Sequence, residues 1–182
     1  VAHVLDPQPH ELIFDVCAAP GGKTTHIAAL GGPTCTVYSG DIYEHKLRLI
    51  ESNAKHLGLA NVRTILQNAC TIGQSYAGRA DRVLGDAPCS DLRTLPVLQK
   101  RIPDSASQCV KPGGVLVYST CTMHDEENIQ IVRQFLQDHS DFRLENAADF
   151  CSLPNHDGPC IQLLPQRDHL DGFFIARMRR GE

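Results

Sequence analysis

Short apolar runs alternate with longer amphipathic stretches along the whole chain, the pattern of repeated strand–helix units feeding a parallel sheet. The run at residues 12–16 predicts a buried strand, and the pair Gly21-Gly22 opens a helix to about residue 30. Residues 34–39 predict a second strand, 44–57 a helix, and 62–66 a third strand. A loop over 73–79 precedes a fourth strand at 81–86. Residues 92–110 have helical spacing but contain Pro96 and Pro103, so this helix is expected to be kinked or split. Lys111-Pro112-Gly113-Gly114 reads as a turn into a fifth strand at 115–119, and Asp125 is placed to cap a helix to about residue 137. Residues 142–144, 161–164 and 173–178 close the sheet, with a loop over 154–159. The prediction is an α/β fold: a doubly wound, mostly parallel sheet with helices on both faces. Such folds bind ligands at the carboxyl ends of their strands.

The length, 182 residues, suits one domain that buries enough surface to need no staple. No run approaches a membrane span of ~18 uncharged apolar residues, and no basic-then-apolar leader opens the chain, so a soluble, cytoplasmic protein is expected. The chain starts at Val1 rather than Met, which suggests a fragment. With 17 basic against 21 acidic residues, net −4, it lacks the charge of a free-standing nucleic-acid binder. An RNA substrate would need local patches or a further, N-terminal RNA-binding domain. The eight cysteines form no CxxC pair and sit mostly in apolar runs, so reduced thiols and no zinc site are expected. His26, His45, His56 and His139 fall on predicted helices at no ligand spacing and read as surface groups; no metal is expected.

The candidate chemistry begins between the first strand and the first helix, at Cys17-Ala18-Ala19-Pro20-Gly21-Gly22-Lys23. Glycines there let backbone N–H groups approach a ligand. A P-loop would need glycine at Cys17, and the dinucleotide fingerprint is absent. Asp41 ends the second strand, where a carboxylate can accept both hydroxyls of a ribose. A nucleoside cofactor not clamped by phosphates fits best.

Cys89 follows the fourth strand and Cys121 the fifth, strands that should be neighbours about 4.8 Å apart. Both thiols therefore reach one edge beside the cofactor loop. A thiolate there can form a covalent adduct with a substrate, and a second group can assist its release. Spacing leaves open which cysteine attacks. Asp86 could bond the base or the cofactor.

Three motifs together, Cys17 to Lys23, Asp86-Ala87-Pro88-Cys89-Ser90 and Ser119-Thr120-Cys121-Thr122, resemble the RNA 5-methylcytosine methyltransferases of the NOL1/NOP2/Sun family, its bacterial ribosomal-RNA members above all. The resemblance covers nearly the whole chain. It implies a Rossmann-like class I methyltransferase fold and S-adenosylmethionine as cofactor, neighboured by Cys17, Ala18, Ala19, Pro20, Gly21, Gly22, Lys23, Asp41, Asn68 and Asp86. It implies Cys121 as nucleophile, Cys89 in product release, Asp86 and Lys23 in support, and 16S ribosomal RNA as the substrate, with transfer RNA as the rival.

Two departures stand out. Asn68 replaces the family's Asp beside Ala69, so a neutral oxygen would meet the adenine amino group. Ser90 joins Asp91 directly where the family carries a Gly-containing loop, so an omitted segment is expected there. That gap keeps open a catalytically silent RNA-binding or assembly module. Asp125-Glu126-Glu127 reads as the charged first turn of a helix. Arg177, Arg179 and Arg180 read as a solvated tail or a phosphate contact.

Overall fold

The structure, a computed structural model, describes residues 1–88, 95–151 and 158–182. The elements run α1 (Ala2–Leu5), β1 (Leu12–Asp15), α2 (Gly22–Gly31), β2 (Thr36–Asp41), α3 (Glu44–His56), β3 (Val62–Leu66), α4 (Gly73–Tyr76) and β4 (Ala80–Asp86). There follow α5 (Leu95–Cys109), β5 (Val110–Thr120), α6 (Ile129–Asp138), β6 (Phe142–Glu145) and a 3-10 turn (Ala147–Phe150). Last come β7 (Ile161–Leu163), α7 (Pro165–Asp168) and β8 (Phe173–Arg180).

The strands form one sheet in the order β3-β2-β1-β4-β5-β8-β6, with β7 also pairing β8. β1 to β5 are parallel where they pair, and β8 runs antiparallel to its neighbours. Both faces are buried, which is why the strands read as near-continuous apolar runs rather than alternating ones. Phe14, Val83, Leu116, Tyr118 and Met178 point into one core, shared with Ile102 and Ala106 of α5 and Val132 and Phe135 of α6. Ile13, Leu84, Val115, Val117 and Ile175, of the opposite parity on the same strands, point into the other, beneath α1 and α2.

Three local expectations are corrected. α5 passes through Pro103 without breaking. Its buried residues Ile102, Ala106 and Cys109 gain more from packing on the sheet than the lost backbone bond costs. Residues 111–114 belong to the start of β5 rather than to a separate turn. The pairing register shifts there, Gly113 takes φ 74°, and a Cβ on Gly114 would lie 2.8 Å from the Asp81 carbonyl oxygen. The helix expected from Asp125 begins later, at Ile129 with Asn128 as its N-cap. Asp125 lies in the preceding turn, its carbonyl accepting from Gln130 N–H. The Ser90–Asp91 junction, Cys89 and most of the 154–159 loop lie outside the described residues.

The sequence pattern missed α1, because a four-residue helix shows no period and is not stable alone. Tertiary bonds hold it. Arg177, fully buried on β8, donates through Nη1 to the Val4 and Leu5 carbonyls at 2.6 and 3.0 Å, and through Nε to Glu145 at 2.8 Å. Its guanidinium lies 3.8 Å from the Phe150 ring centroid. Arg82 of β4 adds a third bond, to Leu5 O at 2.7 Å, while pairing with Glu11. Cations at helix carbonyl ends are favourable. The C-terminal arginines are therefore neither a free tail nor a phosphate site: Arg179 pairs with Glu145 and Arg180 with Asp141.

Removing one partner of a buried pair leaves the other charge uncompensated. Arg177→Ala should lower unfolding stability by about 3 kcal/mol or more in urea titration. Arg48→Ala, which breaks an exposed pair with Glu44, should cost about 0.5 kcal/mol or less. Equal losses would refute the clamp.

Candidate active site

The strand order reverses direction between β1 and β4, and a cleft of about 450 Å³ opens at the carboxyl ends of the parallel strands there. β1 delivers Cys17 and β2 delivers Asp41. Asn68 follows β3, Asp86 ends β4, and Cys121 follows β5; all five line the cleft. Pairing of Asp86 with Ser119 puts the ends of β4 and β5 level.

The glycine-rich loop divides its labour. Cys17, Ala19 and Lys23 line the cleft, whereas Ala18, Pro20, Gly21 and Gly22 do not and instead shape the turn. Ala18 N–H donates to Gly40 O at 2.9 Å, and Pro20 O accepts from Asn53 at 2.9 Å. Gly21 adopts φ 106°, and a Cβ there would sit 3.2 Å from Ile50 Cα, so only glycine lets the loop lie on α3.

Lys23, on the first turn of α2, reaches across to Asp86 at 2.5 Å, and its ammonium lies 4.9 Å from the centroid of the Phe173 ring. Ser119 Oγ donates to the other Asp86 oxygen at 2.6 Å. Both carboxylate oxygens thus have a partner inside the domain, Lys23 on one and Ser119 on the other. Phe173 is the site residue that sequence reasoning overlooked. The signal was its position at the start of the strand antiparallel to β5, where Thr120 pairs with Phe174 and places Phe173 beside Cys121.

Asp41 Oδ1 accepts from Tyr43 N–H at 3.0 Å, with Ile42 and Tyr43 exposed at the cleft rim. Asn68 Oδ1 accepts from Cys70 N–H at 2.9 Å, so one of its lone pairs is already in use.

The thiols differ sharply. Burial, then the nearby carboxylates, push the Cys17 thiol far up, so it stays protonated and is no nucleophile. Burial raises Cys109 and Cys160 to about 11. Cys121 is exposed. Among the described residues six cysteines are free, as expected, but Cys121 is disulfide-bonded, a correction to the expectation of reduced thiols throughout. An accessible sulfur at a strand end is open to oxidation in a way the buried ones are not. Any nucleophilic role requires its reduction.

Among the described residues no group of three or more His, Cys, Asp or Glu could hold a metal ion, and no helix is long and apolar enough to cross a membrane.

Fold and site together define a class: this is a Rossmann-like, S-adenosylmethionine-dependent methyltransferase domain. The particular family follows from comparison. The family model described as 16S rRNA methyltransferase RsmB/F matches residues 2–179, and the chain belongs to that family. It is 38% identical, over its whole length and 46% of the relative's, to a probable ribosomal RNA small subunit methyltransferase B of Synechocystis. It is 35% identical to a tRNA (cytosine(72)-C(5))-methyltransferase of Pyrococcus horikoshii, covering 98% of this chain and 49% of that one. The solved structure of NSun6 from Pyrococcus horikoshii with SFG superposes with TM-score 0.87 at 33% identity, covering all of this chain and half of that one. The chain thus spans about half the length of these relatives.

Asp15, fully buried beneath the loop, accepts from Thr24 Oγ1 at 2.7 Å, and burial pushes its carboxyl up to about 7. Between its unfolded value near 4 and this folded value, only the folded chain keeps the proton. Its contribution to stability is therefore full below about pH 4, falls as pH rises, and is constant above about 7. Asp15→Asn should flatten that slope in urea unfolding between about pH 4 and 7; an unchanged slope would refute the buried, protonated carboxyl.

Proposed function

We propose that this domain methylates carbon 5 of cytosine in RNA, through a covalent adduct between Cys121 and cytosine carbon 6. The observation that carries the reading is the meeting of Cys121, Asp86 and Lys23 at one edge of the cofactor cleft. The donor set suits the cofactor. Asp41 would accept from the ribose hydroxyls, the remaining Asn68 lone pair from the adenine amino group, and Val16, Ile42, Leu98 and Ile102 offer apolar wall. S-adenosylmethionine, when bound, supplies an electrophilic methyl group on a sulfonium.

The target base must leave its stack to enter the cleft. The Cys121 thiolate adds to carbon 6, forming the S–C6 bond and moving the C5–C6 pair toward carbon 5, which takes the methyl group. Loss of the carbon 5 proton restores the double bond and breaks S–C6. Cys89 is assigned to that release. Lys23, held by Asp86, supplies a fixed ammonium donor at the edge where the ring gains electron density. The substrate is 16S ribosomal RNA, as the names of the bacterial relatives suggest. The archaeal tRNA relative, at nearly the same identity, supports transfer RNA as the second reading. With net charge −4, an N-terminal RNA-binding domain outside this chain is expected to supply much of the phosphate affinity.

In the reduced full-length protein, Cys121→Ala should abolish both methyl transfer and any adduct that survives denaturing electrophoresis, whereas Cys89→Ala should accumulate the adduct. The opposite pattern would reverse the assignment. Bisulfite mapping of ribosomal and transfer RNA from a deletion strain separates the two substrates. Asp41→Ala should weaken S-adenosylmethionine binding by roughly 10- to 150-fold in calorimetry, the loss of about 1.5–3 kcal/mol from a charge-assisted contact. Unchanged affinity would remove Asp41 from the ribose.

A further inference from the structure

The turn that carries Cys121 leaves β5 at Thr120 and re-enters regular structure at Ile129. Asn128 stands at the far end of this turn in sequence and against its near end in space, fully buried. Its Oδ1 accepts from Thr120 Oγ1 at 2.5 Å, and its Nδ2 donates to Thr122 O at 2.9 Å. One side chain thus holds the residues on both sides of Cys121. The Thr122 carbonyl can only accept, which fixes the orientation of the amide. The same Nδ2 donates to Gln162 Oε1 of β7 at 3.2 Å, and Gln162 Nε2 donates to the Phe173 carbonyl at 3.2 Å. Phe173 is the residue whose ring faces the Lys23 ammonium. Tyr118 OH, donating to Glu127 O at 2.8 Å, pins the turn from below.

We propose that Asn128 is a positioning residue for Cys121, locking the sulfur's turn to the strand that also places Phe173 over Lys23. The proposal rests on the reading of Cys121 as nucleophile. Only a neutral amide meets both demands of the bracket. A carboxylate keeps the acceptor for Thr120 but opposes the Thr122 carbonyl, and an apolar residue leaves two buried groups unpaired. The cost of loosening the bracket falls on the chemical step, because a nucleophile displaced by about 1 Å loses roughly 100-fold in rate.

The test compares Asn128→Asp, Thr120→Val and Gln162→Met with wild type in the reduced full-length protein. Two readings are taken: single-turnover methyl transfer, and the rate at which iodoacetamide labels Cys121, followed by peptide mass spectrometry. Asn128→Asp should lower kcat roughly 10- to 100-fold, leave KM for RNA and S-adenosylmethionine affinity within about threefold, and change the labelling rate at least threefold. Thr120→Val should do the same more weakly, and combining it with Asn128→Asp should add little, since both break one bracket. If Asn128→Asp fails to fold, the near-isosteric Thr120→Val and the apolar Gln162→Met carry the test. Wild-type kcat and labelling in the folded variants would overturn the proposal. A purely structural role would lower the melting temperature with no change in either reading and would overturn it equally. Cys121→Ala is run alongside: retained methyl transfer there would overturn the nucleophile reading instead, and the labelling result would still judge the bracket.

Discussion

The register of β4 between β1 and β5 is the constraint on which the site depends. Leu84 lies level with Asp15 on one side and Val117 on the other, and Asp86 lies level with Ser119. Side chains alternate along each strand, so a slip of one residue would carry every side chain from one core to the other, where it does not fit. Both faces of these strands are buried, which leaves no tolerant register. Fixing β4 therefore fixes which side chains emerge together at the carboxyl edge: the loop with Cys17 and Lys23, the carboxylate of Asp86, and the turn with Cys121. Lys23 then reaches Asp86 across the strand switch, joining the helix after β1 to the end of β4 by one ion pair.

The two kinds of cation in this domain are used differently. Arg82 and Arg177 are buried and spent on the carbonyls of α1, where their fixed forks bind several oxygens at once. Lys23 is partly exposed at the cleft, where its ammonium can serve a ligand as well as Asp86. Assigning the C-terminal arginines to structure removes them from the supply of phosphate contacts.

Most of the sheet was legible because its strands are apolar runs bounded by turn residues; β3 matches its expected range, and the pairing of β4 with β5 follows from the crossover rule. The elements that were not legible are those held by tertiary bonds. α1 and α7 have four residues each, too few for a helical period, and Pro103 was outvoted by the packing of α5. The same division holds in the site. Asp41, Asp86 and the loop were visible because their place at a strand end states their chemistry. Asn128 and Phe173 were not, because a polar residue beside a charged turn and an aromatic at a strand start have bland readings until register brings them to Cys121. The arginine tail failed for the reverse reason: three basic residues look exposed until a buried helix end needs them.

A methyl-transfer site of this kind must satisfy opposite electrostatic demands within one cleft. A sulfonium is stabilised by nearby negative charge, while a thiolate nucleophile and the electron-rich ring it creates are stabilised by positive charge. Three aspartates near one lysine would favour the sulfonium and suppress the thiolate. Burial of Asp15 eases that conflict, since a carboxyl held up to about 7 is only about half ionised at neutral pH. Asp86 is screened by Lys23 and Ser119, which leaves Asp41, at the far end of the cleft from Cys121, as the carboxylate least masked by its neighbours. The negative charge thus lies toward the end assigned to the nucleoside, and the ammonium toward the end assigned to the base. Burial first, and the nearby carboxylates after it, keep the Cys17 thiol protonated, which is why the proposed nucleophile is the exposed sulfur two strands away.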